Sequence, residues 1–308
     1  MICVFANFPN CPDFHHVLLN VVINTVWIVG GGERSLAWMY EQQLHDARTS
    51  GGDILISIPH THKFSERWLV STFLNNRIPF QRPIWEFSAG QPIDITRNIA
   101  VSHALRSSCR YLLFIDSDTL MPPQCVENLV AARMPIVSAT YRARGPPHNV
   151  IANRRGIPIT MEEVEQAAKS PNPLVSVDDV GMGCALIDTR VFKAVGQTLN
   201  EWRCFKPHPM GMLPNGKEYF VCDTKTAVSN SYMCSFCGGL LIARFFWMRI
   251  GMQNIDALSE DYWFCKMAKQ HGFPVMVHSR VFANHESQFT EVGPQGLITS
   301  LRSAGDVT

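Results

Sequence analysis

Residues 111–123 read YLLFIDSDTLMPP, an apolar run from Leu112 to Ile115 that stops abruptly at two carboxylates, Asp116 and Asp118. A short unbroken apolar run suits a strand buried on both faces of a parallel sheet. Open α/β sheets bind ligands just beyond the carboxyl ends of such strands, which is where these two acids emerge. Acids at i and i+2 repel each other, and a divalent cation such as Mg²⁺ or Mn²⁺ relieves that repulsion through hard oxygen ligands. The same letters also suit an Asx-type turn closing a strand. The string alone leaves both readings standing.

With 308 residues, 46% hydrophobic and 17% charged, the chain is long enough to bury a substantial core in one large or two modest domains. A formal net charge of +1 gives no sign of a nucleic-acid surface or a strongly acidic partner. Ten cysteines are too dilute for a small disulfide scaffold, and no charged secretory leader is visible. A reducing, cytoplasmic setting is therefore the default, although cytosolic hyperthermophile chains are an exception to that redox rule. The segment Val17 to Val29 (VLLNVVINTVWIV) falls short of the ~20 apolar residues of a spanning helix and is interrupted by Asn20 and Asn24. A spanning anchor is not expected; peripheral membrane contact stays open.

Glycines at 30–32 and 51–52 set residues 1–52 apart as an N-terminal extension. An α/β rhythm then runs over residues 53–286, and residues 287–308 form a polar, peripheral C-terminal tail. Asp53 to Pro59 reads as a buried strand, Ser65 to Asn75 as a helix, and Ile84 to Phe87 as a second strand. Asp94 or Thr96 caps a helix reaching about Ser108, and Pro122-Pro123 opens another. Ile136 to Tyr141 is strand-like and leads into a basic, Pro/Gly-rich loop from Arg142 to Pro147. Thr160 and Glu163 sign a capping box, and Val180 to Ile187 reads as one strand entered through two glycines. A helix from Ser259 to His271 stops at Gly272, and Phe273 to His278 is a further strand. The span from Trp202 to Gly251 follows no clear pattern.

The ordered set IDITRNIAVSHAL, YLLFIDSDTLMPP, VGMGCALIDTRVF, SEDYWFCKMAKQHGFPV and ANHE resembles a GT-A-fold glycosyltransferase of the large family-two type, over roughly Asp53 to Glu286. Residues 1–52 do not match that pattern, and the stretch from Trp202 to Leu258 is longer than it. The resemblance implies an α/β fold with a Rossmann-like, mostly parallel sheet flanked by helices. It also implies an inverting, metal-dependent transfer of a sugar from a UDP- or GDP-sugar donor to a glycan, lipid or small-molecule acceptor. In such enzymes Mn²⁺ or Mg²⁺ stabilises the departing diphosphate as a Lewis acid.

Carried over residue by residue, the resemblance makes Asp118 the direct metal ligand. Asp116 lies near the ribose or touches the metal through water, Ser117 sits between them at the donor, and His285 completes the metal shell. For His285 the plain alternative is a solvated loop histidine. Asp261 is the implied catalytic base; a first-turn acid is also simply a good helix start, and Glu260 supports it. Pro59, His60 and Thr61 match the place that receives base and ribose, with a plain strand-to-helix loop as the alternative. Arg97 and Asn98 match an "RN" pair at the donor, where Arg97 offers a fork of hydrogen-bond donors; an exposed helix arginine is equally in keeping. Gly181 and Gly183 let backbone approach the donor sugar or only shape a turn.

Cys234 and Cys237, with Cys204 and Cys222 upstream, lack the second close pair of a strong zinc signature, so plain thiols are expected. The aromatics Phe245, Phe246 and Trp247 suit core better than an acceptor surface. Two other classes compete with the transferase. A nucleotidyltransferase needs a Gly-rich phosphate loop after the first strand, and IPHTHKF has none. A catalytically silent nucleotide-sugar-binding module keeps the fold without turnover.

Overall fold

The computed structural model describes residues 53–60, 64–89, 92–199, 202–205, 220–222, 232, 240–247, 259–286, 290–293 and 296–300. Expectations for residues 1–52, Thr61, Cys234 and Cys237 lie outside the described residues. Among those described, no helix is long and apolar enough to cross a membrane.

Strand β1 (Ile54–His60) leads into helix α1 (Glu66–Leu69), which widens into a π turn from Val70 to Leu74. Next come β2 (Pro83–Ala89), α2 (Ile93–Arg106), β3 (Tyr111–Ile115), the two-residue β4 (Thr119–Leu120), α3 (Cys125–Ala131) and β5 (Ile136–Thr140). Short strands β6 (Ala152–Arg154) and β7 (Ile157–Pro158) precede α4 (Met161–Lys169), β8 (Leu174–Val177), β9 (Asp179–Val180), β10 (Cys184–Asp188) and α5 (Thr189–Thr198). Then follow β11 (Trp202–Phe205), β12 (Phe220–Cys222), β13 (Leu240–Ala243) and α6 (Glu260–Gln270). The described chain closes with β14 (Val275–Phe282), β15 (Asn284–Glu286), β16 (Thr290–Gly293) and β17 (Gly296–Ser300).

A seven-stranded sheet in the order β2-β1-β3-β10-β5-β14-β8 organises these elements. β2, β1, β3, β5 and β14 run one way; β10 and β8 run against them. This is the α/β, mostly parallel, helix-flanked sheet that the resemblance implied. Its central strands are apolar on both faces because both faces are covered. On one face Ile54, Ile56, Leu113 and Ile115 pack with Trp68 of α1 and with Val126 and Leu129 of α3. Alternate residues point the other way. There Phe114 meets Phe246 edge to face at 5.5 Å, and Phe246 and Phe192 each stack on Phe264 of α6. Phe245 and Phe246 are thus core, as expected.

Several boundaries move for physical reasons. α2 starts at Ile93, so Asp94 lies inside its first turn, where its carboxylate accepts from the Ile95 amide. α3 starts two residues after the proline pair, behind Gln124 in a left-handed conformation. The stretch expected as one strand from Val180 to Ile187 is two, β9 and β10, parted by Gly181, Met182 and Gly183. Residues after Glu286, expected as a peripheral tail, supply β16 and β17 to a sheet ordered β17-β16-β15-β4. In the unpatterned span, β11, β12 and β13 form a small antiparallel sheet that places Cys204 opposite Cys222.

Candidate active site

Four segments deliver acids and an imidazole to the rim where β3 ends. β3 hands over directly to Asp116, whose amide donates to the Gly183 carbonyl (2.8 Å) and whose carbonyl accepts from the Trp68 indole N–H (3.0 Å). Thr119 donates its amide back to the same carbonyl, closing a tight turn that presents Asp116, Ser117 and Asp118. β15 pairs with β4 so that His285 faces Thr119, one residue past Asp118. The Glu286 amide ties that strand to the Asp118 carbonyl (2.7 Å), and the Glu286 carboxylate accepts from Ser65 on the far side (2.5 Å).

Arg97 sits at the centre, only 2% exposed. Its Nη1 donates to Glu260 (2.7 Å) and to Asp261, and its Nη2 faces both oxygens of Asp116 at 3.3 Å. Burial alone would lower the guanidinium's pKa, but Asp261, Asp116 and Glu260 hold it above its ordinary value. Asp261 is positioned from two sides, since its second oxygen accepts the Met182 amide (3.1 Å). Ser259 caps α6 by accepting the Tyr262 amide, which fixes Glu260 and Asp261 in the first turn. The positive end of the α6 dipole by itself favours an ionised Asp261. Instead burial pushes its pKa up to about 7 against the pull of Arg97, with Glu260 and Asp116 adding to the rise.

The two acids of the DxD-like pair are driven apart. Burial raises Asp116, opposed by Arg97 and reinforced by the charge of Asp118. Asp118 moves the other way: burial works against its ionisation, but the hydrogen-bonding and charge of His285, with Arg144, carry it below its ordinary value. Arg144 belongs to the basic loop after β5 and places Nη1 3.0 Å from Asp118 Oδ2, while remaining 51% exposed.

His285 Nδ1 lies 3.0 Å from the Arg142 carbonyl, which can only accept, so Nδ1 carries the hydrogen. Protonated, His285 is the ion-pair partner that holds Asp118 down; as the neutral Nδ1–H tautomer it instead presents an Nε2 lone pair to Asp118 Oδ1, 3.5 Å away, a buried oxygen without a geometrically formed hydrogen bond. Two electron-rich atoms facing each other this way fit a cation between them, with the backbone carbonyl orienting the imidazole as outer-shell partners of metal ligands do. Among the described residues no three of His, Cys, Asp and Glu are gathered into a complete cage. A Mg²⁺-like site completed by substrate phosphates needs only one or two protein carboxylates.

The remaining expected residues fall as follows. Pro59 is buried and His60 half-buried at the carboxyl end of β1, where His60 packs on Phe64 at 4.8 Å. Ser117 is half-buried on the rim. Gly183 donates its amide to the Tyr141 hydroxyl (2.8 Å), and a methyl group there would come within 3.3 Å of Asp116 Oδ2. At Gly181 the added carbon would lie within 3 Å of both Tyr141 and Ile151, so close packing already requires that glycine. Asn98 is engaged elsewhere: its amide donates to the Phe246 carbonyl and its oxygen accepts the Phe246 amide, clamping the 240–247 segment to α2. Sequence reasoning missed Tyr141, Arg144, Trp68 and Glu286. Arg144 carried a signal as part of a basic Pro/Gly-rich loop, and Glu286 as the last letter of ANHE.

No family model matches the sequence, and no curated protein matches it. Among solved structures the chain is similar to A197 from STIV, at 12% identity and a TM-score of 0.47, over 83% of this chain and 98% of that one. It is also similar to GalNAc-T7, solved with UDP, GalNAc and Mn²⁺, at 8% identity and a TM-score of 0.39, over 76% of this chain and 43% of that one. At such distances the functional reading rests on the residues of this chain alone.

Proposed function

We propose that the chain is a metal-dependent glycosyltransferase of the family-two kind that moves a sugar from a UDP- or GDP-sugar to an acceptor hydroxyl with inversion. The observation that carries this reading is the convergence of Asp116, Asp118, Asp261 and His285 at the rim beyond β3, with Arg97 joining Asp116 to Asp261.

In this reading Asp118 and His285 hold Mn²⁺ or Mg²⁺, with Asp116 beside them. The bound cation supplies Lewis-acid stabilisation of the leaving diphosphate. Asp261 takes the proton of the acceptor hydroxyl. A carboxylate offers about four acceptor positions, and Arg97 and the Met182 amide use two of them. A pKa near the working pH is what a general base needs. Arg97, rather than contacting the donor, positions the base relative to Asp116, and Asn98 is a scaffold residue. Pro59, His60 and Thr61 receive base and ribose, while Ser117 and Gly183 line the donor sugar. A base on the acceptor side gives single displacement, hence inversion.

A panel of nucleotide-sugars, read first by Mn²⁺-dependent thermal stabilisation and then by transfer with the anomeric configuration assigned, tests the proposal. Metal and nucleotide binding with neither transfer nor donor hydrolysis points to the silent binding module. Absence of metal-dependent nucleotide binding overturns the reading.

A further inference from the structure

A second concave surface lies at the opposite end of β3, about 17 Å from the acids by the rise of a five-residue strand. Two adjoining depressions of about 360 and 320 Å³ share Arg110, Asp188 and Arg190; Arg133 closes one side and Lys193 the other. Four cations thus surround one carboxylate.

That carboxylate is already committed. Asp188, buried at the start of α5, accepts the Arg190 amide (2.9 Å) and the Arg190 Nε (3.0 Å), and Arg190 Nη2 lies 2.8 Å from its other oxygen. Arg110 lays its guanidinium over the Tyr111 ring at 4.9 Å, which fixes its plane at the mouth of the cleft. Among the described residues no acid lies within ion-pair reach of Arg110, Arg133 or Lys193. Each depression therefore carries two cations without an acidic partner among the described residues, Arg110 with Arg133 in one and Arg110 with Lys193 in the other, and their fields add.

Arg133 makes the arrangement costly for the fold. It follows Ala132, the cap residue of α3, with φ +53°, the left-handed position where helices favour glycine. An arginine at that position gives up stability that glycine would keep. Solvated arginines on a convex helix face would be unremarkable. Here the forks line a concavity, and forked guanidinium donors match the oxygens of a phosphate.

We propose that this cleft binds a phosphate-bearing anion, at a site separate from the acid cluster and independent of the function proposed above. The phosphate comes either from a soluble metabolite or from a lipid headgroup.

The full chain is titrated with inorganic pyrophosphate by calorimetry in the presence of chelator, which silences the divalent-cation site. In parallel it is floated with phosphatidylcholine vesicles prepared with and without phosphatidic acid. The test variant combines Arg133→Gly, which restores the favoured residue at the helix end, with Lys193→Gln. Pyrophosphate binding that falls at least ~10-fold in the variant supports a soluble ligand. Flotation that requires phosphatidic acid and is lost in the variant supports a headgroup. Both interactions weaken as salt rises. The proposal is overturned if neither probe binds the parent chain, or if the folded variant binds as well as the parent.

Discussion

Arg97 on α2 and Asp261 on α6, 164 residues apart, share a part-buried hydrogen bond, and the same guanidinium reaches Asp116 at the end of β3. One cation thus holds together the acid at the DxD-like turn and the acid assigned as base.

Removing Arg97 leaves three neighbouring carboxylates without their common partner. Breaking a buried pair from one side costs roughly 3–5 kcal/mol. Arg97→Ala is therefore expected to lower unfolding stability by about that amount in urea titrations at neutral pH. Arg97→Lys recovers only part of it, because a single ammonium cannot address Asp116 and Asp261 through separate nitrogens. An Arg97→Ala protein as stable as the parent contradicts the buried network.

The elevated pKa of Asp261 has two consequences of opposite sign. Transfer requires the ionised base, so kcat/KM rises with pH and levels off above a midpoint near 7. Stability moves the other way. The folded value lies above the ordinary 3.8, so the group favours the fold at acidic pH and that contribution is lost as pH rises through about 7. Asp261→Asn should cut transfer by ~10²–10⁴-fold, leave nucleotide affinity nearly unchanged and flatten the stability profile between pH 4 and 7. An Asn variant with full activity removes Asp261 from the base role.

Arg144 touches Asp118 from an exposed loop, so its ion pair contributes about 1 kcal/mol or less to stability. Arg144→Gln is expected to leave thermal unfolding nearly unchanged. It should tighten Mn²⁺ binding, measured by paramagnetic resonance, because a competing cation leaves the carboxylate. Weaker or unchanged Mn²⁺ binding tells against that competition.

Gly183→Ala introduces a methyl 3.0 Å from Thr119 Oγ1, 3.1 Å from the Tyr141 hydroxyl and 3.3 Å from Asp116 Oδ2. Crowding of this kind costs about 1–3 kcal/mol and displaces the acid, so metal-dependent donor binding falls with stability. Gly145→Ala, with nothing within 4 Å of the added carbon, is the matched control and is expected to be silent.

What the sequence disclosed follows from what periodicity can report. β1, β3, β14 and α6 were legible because buried apolar runs and helix-end residues have local signatures, as at Ser259 and Gly272. The antiparallel direction of β10 was not, since a strand reads alike in either direction. Nor was the β4–β15 pairing: two-residue strands lack a period, and Thr119 meets His285 from 166 positions away. The acids themselves were legible as a motif. The role of Arg97 was not, because an arginine in a helix pattern gives no hint of where its fork points. Asn98 illustrates the same limit, its amide closing on the backbone of Phe246.

The reversed direction of β10 reaches beyond its hydrogen bonds. Its first residue enters the rim beside the exit of β3, with Cys184 opposite Ile115. Residues inserted after Ala185 would have to re-lay two ladders at once, and residues inserted just ahead of Cys184 would part the Gly183 carbonyl from Asp116 and the Met182 amide from Asp261. The short turn ahead of β10 is therefore as much a part of the frame around the acids as the strands it joins.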